Sequence, residues 1–364
     1  MTAADMGAPA RERHRASGHQ ALDTLARCRE LVLPALRDAV ARLHPEVGRI
    51  AAYSLGWCDA DGTPQEDGAG KALRPALAVL AAETVGGKAQ DAVPAAVAVE
   101  LVHVFSLVHD DIIDGDERRR HRPTAWKAFG SGPALLAGDG LLALALDALA
   151  ESTLHLLPRI RSEALHTLTG SLVELVNGQA ADTAFERLPW TGREAVTVAQ
   201  YNAMAAGKTG SLLGCSAALG ALLGGADVDT ADAMGRMGRN LGAAFQAVDD
   251  LLGIWGDPDV TGKPVFNDIR RRKKTLPVVA ALAHGPAPDR LAALLAAPAE
   301  EGGEAGALDR IADLIREAGG RTFTVAQANR DLDRALRTLH GVSVDPAATA
   351  ELMALAEFVV NRTH

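Results

Sequence analysis

Residues Asp110–Pro123 read DDIIDGDERRRHRP, five acidic residues followed by a run of arginines. They come directly after VAVELVHVFSLVH, which is nearly pure core. Read as a helix, positions separated by about 3, 4, 7 or 11 share a face. Glu100, His103, Asp110 and Asp114 then form one stripe with Ser106 close to it, and Asp111 sits about 100° round. Three carboxylates this close repel one another and, ionised together, need cations. All-oxygen donors suit Mg²⁺ or Mn²⁺ rather than Zn²⁺. A calcium loop starting at Asp110 fails, because Ile112 and His121 stand where oxygen ligands are required. The plainer reading is a solvated helix end carrying surface acids. It leaves unexplained why aspartates gather at a helix C-terminus, where the macrodipole disfavours them.

A second helix carries FQAVDDLLGIWGD, starting at Phe245. Gln246, Asp249 and Asp250 share a face, and Gly253 stands where a third acid could sit. Two such helices, each interrupting a core-like pattern, suggest a cavity with carboxylates on opposite walls. Mg²⁺ bridging carboxylates to a phosphate-bearing substrate is the usual purpose of such sites. Basic residues accompany both clusters: Lys71 and Arg74 in GKALRP (Gly70–Pro75), Arg118–Arg120, Lys208 beside Thr209, Lys263 and Lys273. Arginine suits bidentate phosphate contacts and lysine acts as a point charge. Any one of them alone reads as a surface charge; their conjunction with two metal-type clusters points to phosphate binding.

The elements that must position these residues are helices. The chain has 364 residues, 48% of them hydrophobic but only 4% aromatic, and runs typical of strands are scarce, so the fold class expected is all-α. Helices are expected near 17–44, 71–85, 90–115, 132–155, 159–184, 194–224, 228–256, 274–284, 305–318, 322–340 and 346–361. The breaks at 58–70, 256–264 and 298–306 are too short to separate domains, so 17–364 is expected as a single domain after a disordered tail, 1–16. A net charge of −9 argues against a nucleic-acid partner. Cys28, Cys58 and Cys215 are sparse and fit no metal spacing, which suggests reduced thiols in a cytoplasm. The N-terminus has no apolar stretch of the secretory kind. The longest uncharged run, Thr209–Ala226, contains five glycines and reads as a tightly packed core helix rather than a membrane span.

In this arrangement the chain resembles the trans-isoprenyl diphosphate synthases, the polyprenyl synthetase family, and within it most resembles the geranylgeranyl type. The resemblance runs from about Gly70 to Pro277. GKALRP is similar to the family's GKxxRP, DDIID to its first aspartate-rich motif, and RRHRP to its RRGxP. GQAAD (178–182), KT (208–209), FQAVDD (245–250), GKP (262–264) and KKTLP (273–277) follow in the expected order. The chain departs from the pattern at His121 and Arg272, where glycine is usual, and at Gly253, where the last carboxylate of the second motif is usual. Gly253 either weakens metal binding on this wall or leaves it to Asp249, Asp250 and, as a further candidate, Asp257.

The resemblance implies an all-α isoprenoid-synthase bundle around a deep central cavity, and a homodimer. It implies three Mg²⁺ ions, with Mn²⁺ as a substitute, held by Asp110, Asp111, Asp114 and Asp249, with Asp250 as a further candidate, gripping the diphosphate of a dimethylallyl, geranyl or farnesyl substrate. Lys208, Lys263, Lys273 and Arg119 would neutralise the rest of that charge. Gly70, Lys71, Arg74, His103 and Arg120 would hold isopentenyl diphosphate, and Thr209, Gln179 and Gln246 would supply polar contacts near the cation or its metals. Phe105 lies five residues before Asp110, about 7.5 Å along the helix axis, with the smaller Ser106 beside it. In the family an aromatic at that position resembles the geranylgeranyl type, so a C20 product is expected; the plainer alternative is that Phe105 is simply core. Rival readings are a terpene cyclase of the same helical class, which would not need the second phosphate pocket, and a non-catalytic partner subunit, toward which Gly253 leans.

Overall fold

The computed structural model describes residues 8–65, 72–258, 265–297 and 305–361. Helices dominate: α1 (Ala8–Val40), α2 (Pro45–Ser54), α3 (Leu73–Thr84), α4 (Val93–Ile113), α5 (Ala125–Phe129), α6 (Ser131–Ser152), α7 (Pro158–Phe185), α8 (Val198–Ala205), α9 (Ser211–Leu223) and α10 (Val228–Trp255). They continue with α11 (Asn267–Arg270), α12 (Leu276–His284), α13 (Pro288–Ala296), α14 (Ala305–Glu317), α15 (Gly320–His340) and α16 (Pro346–Val360). The one small sheet among the described residues pairs β1 (Arg118–Arg119) with β2 (Arg122–Pro123). The all-α expectation holds, with this hairpin as its exception. α1 begins at Ala8, inside the stretch expected as a tail. Helices α2, α5, α11 and α13 lie where the sequence pattern suggested none. They are short, and short helices owe their stability to packing rather than to a periodic signal of their own.

The chain packs as two compact units. The first comprises the residues up to Leu172 with Leu212–Gly238 and Arg337–Leu355. Within it α4 packs against α3 and α6. Its Ala and Val side chains at 95–99, with Leu101, Val102 and Val104, are buried. The run Thr209–Ala226 falls largely in α9, which approaches α3 so closely that a Cβ on Gly220 would come within 2.8 Å of the Ala78 Cα. Gly224 meets the Ala82 Cα at the same 2.8 Å. The glycines therefore serve close helix packing, as the sequence suggested. By length and composition Ala89–Ile113 and Ser131–Ser152 could cross a membrane. The first of these carries Glu100, His103, Asp110 and Asp111.

The second unit comprises Val173–Ser211, Arg239–Leu336 and the residues from Ala356 onward. Its core gathers Ile254 at the end of α10, Ile269 of α11, Val278 and Ala281 of α12, Leu291 and Leu295 of α13, and Ile311 and Ile315 of α14. The stretch expected as one helix over 194–224 is helical from Val198 to Leu223, but Ala206–Gly210 forms a π-helical turn between α8 and α9.

Candidate active site

In the first unit the carboxylates stand at the end of α4. The helix begins with a proline in its first turn, where no intrahelical donor is lost. It stops at the cap Asp114, followed by Gly115 at φ +66°, the left-handed conformation that glycine adopts without strain. Asp111 is buried, while Asp110 and Asp114 are half-buried. Burial pushes the Asp111 carboxyl upward, and Arg119 opposes that shift, donating to Oδ1 from Nε at 2.8 Å with Nη2 in ion-pair contact 2.7 Å from the same oxygen.

Arg119 reaches Asp111 because of the hairpin. Arg119 pairs with Arg122, and the two residues between them, Arg120 and His121, both have positive φ, +50° and +64°. This is the geometry of a tight two-residue turn whose twist matches the strands. The hairpin base is clamped by Arg122, whose guanidinium stacks 4.3 Å from the Tyr53 ring centre and donates to the Cys58 carbonyl at 2.6 Å. The Tyr53 hydroxyl donates to the Pro123 carbonyl at 2.5 Å.

Higher on α4 the stripe read from the sequence meets cations. Burial raises the Glu100 carboxyl, with Arg74 and Arg120 pulling it back. Burial holds His103 well below its ordinary value, and the charges of Arg74, Arg120 and Arg119 add to that, so the imidazole is neutral near pH 7. Arg74, Arg119 and Arg120 thus all act on His103 in this unit. Gly70 and Lys71 lie outside the described residues. Phe105 is buried and meets His109 edge-on, ring centres 4.8 Å apart. The His109 ring fills the space above Gly138 of α6, where a Cβ would overlap it. Ser106 turns its hydroxyl onto the His103 carbonyl at 2.8 Å.

In the second unit the π-helical turn presents Lys208 and Thr209. A Cβ on Gly178 of α7 would come within 2.6 Å of the Gly207 carbonyl carbon, so only glycine lets the two backbones approach this closely. The approach sets Lys208 Nζ 2.5 Å from Asp182 Oδ2. Both amide atoms of Gln179 are buried and have no hydrogen-bond partner among the described residues. Buried amides are rarely left so, which fits a group completed by a ligand. Thr209 Oγ1 donates to Gln246 Oε1 at 2.6 Å, and Gln246 Nε2 donates to Asp250 Oδ1 at 2.9 Å. The Tyr201 hydroxyl and the Leu276 amide, the latter at 2.7 Å, both donate to Asp250 Oδ2. Burial pushes the Asp250 carboxyl up to about 7, against the pull of those three donors, and the nearby charge of Asp268 adds to the rise. Asp249 and Lys273 are half-buried, Asp257 is exposed, and Lys263 lies outside the described residues.

Sequence reasoning missed Asp182, Tyr201 and Asp268. Asp182 ends the GQAAD motif three residues after Gln179 and could have been found as its helical neighbour. Tyr201 carries no signal, since an aromatic in a helix reads as core. Among the described residues, no three acidic, histidine or cysteine side chains converge tightly enough to enclose an ion by themselves. Mg²⁺ does not require that, since it keeps waters and takes one or two carboxylates together with phosphate oxygens. Within the first unit, Asp110, Asp111 and Asp114 offer carboxylates of that kind at the end of one helix. Asp250 is already committed to three donors of the protein.

The family profile described as polyprenyl synthetase matches residues 65–311. A (2E,6E)-farnesyl diphosphate synthase of Mycobacterium tuberculosis is 45% identical over 94% of this chain and 93% of its own length. A geranylgeranyl diphosphate synthase of the same organism is 43% identical over 93% of each chain. The solved structure of a polyprenyl synthetase from Streptomyces coelicolor superposes with a TM-score of 0.86 at 47% identity, covering 93% of this chain and 99% of its own. A geranylgeranyl pyrophosphate synthetase from Pyrococcus horikoshii gives 0.80 at 31% identity, covering 93% and 98%. The helical order, the two carboxylate helices and these likenesses agree: the chain has the all-α isoprenoid-synthase fold and belongs to the polyprenyl synthetase family of prenyltransferases.

Proposed function

We propose that the protein condenses isopentenyl diphosphate with a dimethylallyl, geranyl or farnesyl diphosphate to give a short-chain all-trans prenyl diphosphate, geranylgeranyl diphosphate. The observation that carries this reading lies in the first unit. α4 bears metal-type carboxylates at its C-terminal end, and a neutral His103 in the field of Arg74 and Arg120 higher up. That is equipment for two diphosphates, where a cyclase would need one.

Mg²⁺, when bound, supplies the positive charge that turns diphosphate into a good leaving group. Asp110, Asp111 and Asp114, and in the second unit Asp249, are its proposed ligands. Lys208, held in place by Asp182, acts with Lys263, Lys273 and Arg119 to neutralise the leaving oxygens. Thr209, Gln246 and Gln179 turn polar atoms toward the allylic cation or the ions. Arg74, Lys71 and Arg120 bind isopentenyl diphosphate by its charge, and neutral His103 contributes a hydrogen bond. The isopentenyl double bond then attacks C1 of the allyl group. One C–C bond forms, the C–O bond to diphosphate breaks, and the released diphosphate takes the proton that restores the double bond. No side chain is needed as a nucleophile. The reading includes a homodimer.

Phe105 and Ser106 are the proposed chain-length residues. Phe105 is backed by His109, itself seated on Gly138, so the aromatic is braced rather than loose. Relatives named for farnesyl and geranylgeranyl diphosphate stand at 45% and 43% identity, which supports a short-chain product.

The test is to incubate the purified protein with Mg²⁺, isopentenyl diphosphate and each allylic diphosphate separately, and to identify products by mass spectrometry. A product of twenty carbons supports the full reading, and one of fifteen keeps the chemistry but overturns the assigned length. Hydrocarbons or alcohols formed without isopentenyl diphosphate mean a cyclase. No product from any primer means a partner subunit.

A further inference from the structure

Phe105 can end a growing prenyl chain only if it holds its place when the chain presses on it. A lone aromatic on a helix turns about its side-chain bonds between staggered positions, so by itself it is a soft stop. Phe105 is not alone. His109 follows it by one turn of α4, and the side chains of a helix lean toward its N-terminus, which lays the His109 ring over Phe105. The two rings meet edge-on, their centres 4.8 Å apart, and Phe105 is buried.

His109 is itself fixed by α6. Its Nε2 lies 3.3 Å from the Leu135 carbonyl oxygen, which can only accept, so this nitrogen carries the hydrogen. One turn further along α6 is Gly138. A Cβ there would overlap Nε2 and Cδ2 of His109 and lie 3.3 Å from Cε1, so the ring rests on the α6 backbone with no flexible side chain between. Glycine inside a helix is disfavoured against alanine, and Gly138 stands within α6, where no turn calls for it. The space it leaves is the space the ring occupies. Pressure on Phe105 is therefore passed through His109 to a helix backbone, which yields far less than a side chain.

We propose that His109 and Gly138 are specificity-determining residues: His109 positions Phe105, Gly138 admits His109, and the length at which elongation stops is set by α4 and α6 together rather than by Phe105 alone. Neither residue touches the reacting atoms in this role. The proposal rests on the chain-elongation reading above and on Phe105 as its length residue. It implies that two chains with the same residue at 105 stop at different lengths when they differ at 109 or 138.

The experiment compares the products of the full chain, with Mg²⁺, isopentenyl diphosphate and each allylic diphosphate, for wild type, Phe105→Ala, His109→Ala and Gly138→Ala, and for the last two combined with Phe105→Ala. Mass spectrometry gives the ratio of longer product to product of wild-type length, whatever the total rate. His109→Ala and Gly138→Ala should each raise that ratio by about two- to tenfold, the range an edge-on aromatic pair supports. In the Phe105→Ala background neither should add a further shift, because the brace has nothing left to hold. A glycine needed only for packing would lower the melting temperature without moving the ratio. Circular dichroism checks each fold; if Gly138→Ala does not fold, Gly138→Ala with His109→Ala removes the overlap and should give the long products of His109→Ala. An unchanged ratio in His109→Ala, or in the folded variant at 138, while Phe105→Ala lengthens the product, overturns the inference. No shift in Phe105→Ala itself overturns the chain-length reading and the brace with it. Failure of the enzyme reading shows separately, as the absence of chain-extended product from the wild-type protein.

Discussion

Arg119 closes on one oxygen of Asp111 with two nitrogens, Nε at 2.8 Å and Nη2 at 2.7 Å, and the Asp111 side chain is only 7% exposed. The ion pair holds a carboxylate that burial alone would push toward protonation. It also ties the hairpin tip to the end of α4. Arg119→Ala leaves that carboxylate buried without its cation and is expected to lower stability by about 1–3 kcal/mol. Urea unfolding measures this, and Asp111→Asn added to Arg119→Ala should recover part of the loss. Equal midpoints for wild type and Arg119→Ala would refute the role given to the pair.

Asp110 is half-buried at the mouth of the same helix end. If metal-held charge drives departure of diphosphate, Asp110→Ala should cut chain elongation by at least about 10²-fold with the helical content unchanged. Near-full elongation, measured with labelled isopentenyl diphosphate, would reject the mechanism.

His121 sits at φ +64° where glycine is free of strain. A non-glycine residue in the left-handed region costs about 1–2 kcal/mol, offset in part by the greater chain entropy of glycine. His121→Gly is therefore expected to stabilise the protein by roughly 0.5–1 kcal/mol. A shift of the urea midpoint to lower concentration would contradict this.

Phe105 is braced by the His109 ring at 4.8 Å. Phe105→Ala should shift the product distribution to longer prenyl chains, read by mass spectrometry of the extracted alcohols. An unchanged distribution would leave Phe105 as ordinary core.

His103 is held neutral in the folded protein, its value depressed by burial and by three arginines. An unfolded histidine takes a proton below about 6.5. Below that pH the unfolded chain therefore binds one proton more than the folded one, and stability falls as pH falls. The contribution is fully present above pH 6.5. Its loss has a limiting slope of about 1.4 kcal/mol per pH unit. Urea unfolding between pH 5 and 8 should show a shallower dependence in His103→Asn than in wild type, and identical slopes would count against a neutral His103.

Much of the site was legible because helical spacing decides which side chains share a face. The stripe of Glu100, His103, Asp110 and Asp114 and the face of Gln246, Asp249 and Asp250 follow from about 3.6 residues per turn and from apolar neighbours that force the rest of each helix inward. The glycines of Thr209–Ala226 announced close packing for the same local reason. Pairings between elements were not legible. Nothing in the spacing says that Tyr201 and Leu276 claim the oxygens of Asp250, which leaves it a poorer ligand than its neighbour Asp249.

The sequence by itself determined the helical class, the order of the charged motifs and the residues at each helix end, because those depend on periodicity and composition within a single segment. Only the tertiary structure decided that a two-residue turn with both φ angles positive aims Arg119 at Asp111, that a π-helical turn sets Lys208 against Asp182, and that the Asp268 carboxylate fills the space beside Gly253. Each depends on a backbone turn outside regular helix and on the core that holds it. Residues distant in the chain meet only once both have formed.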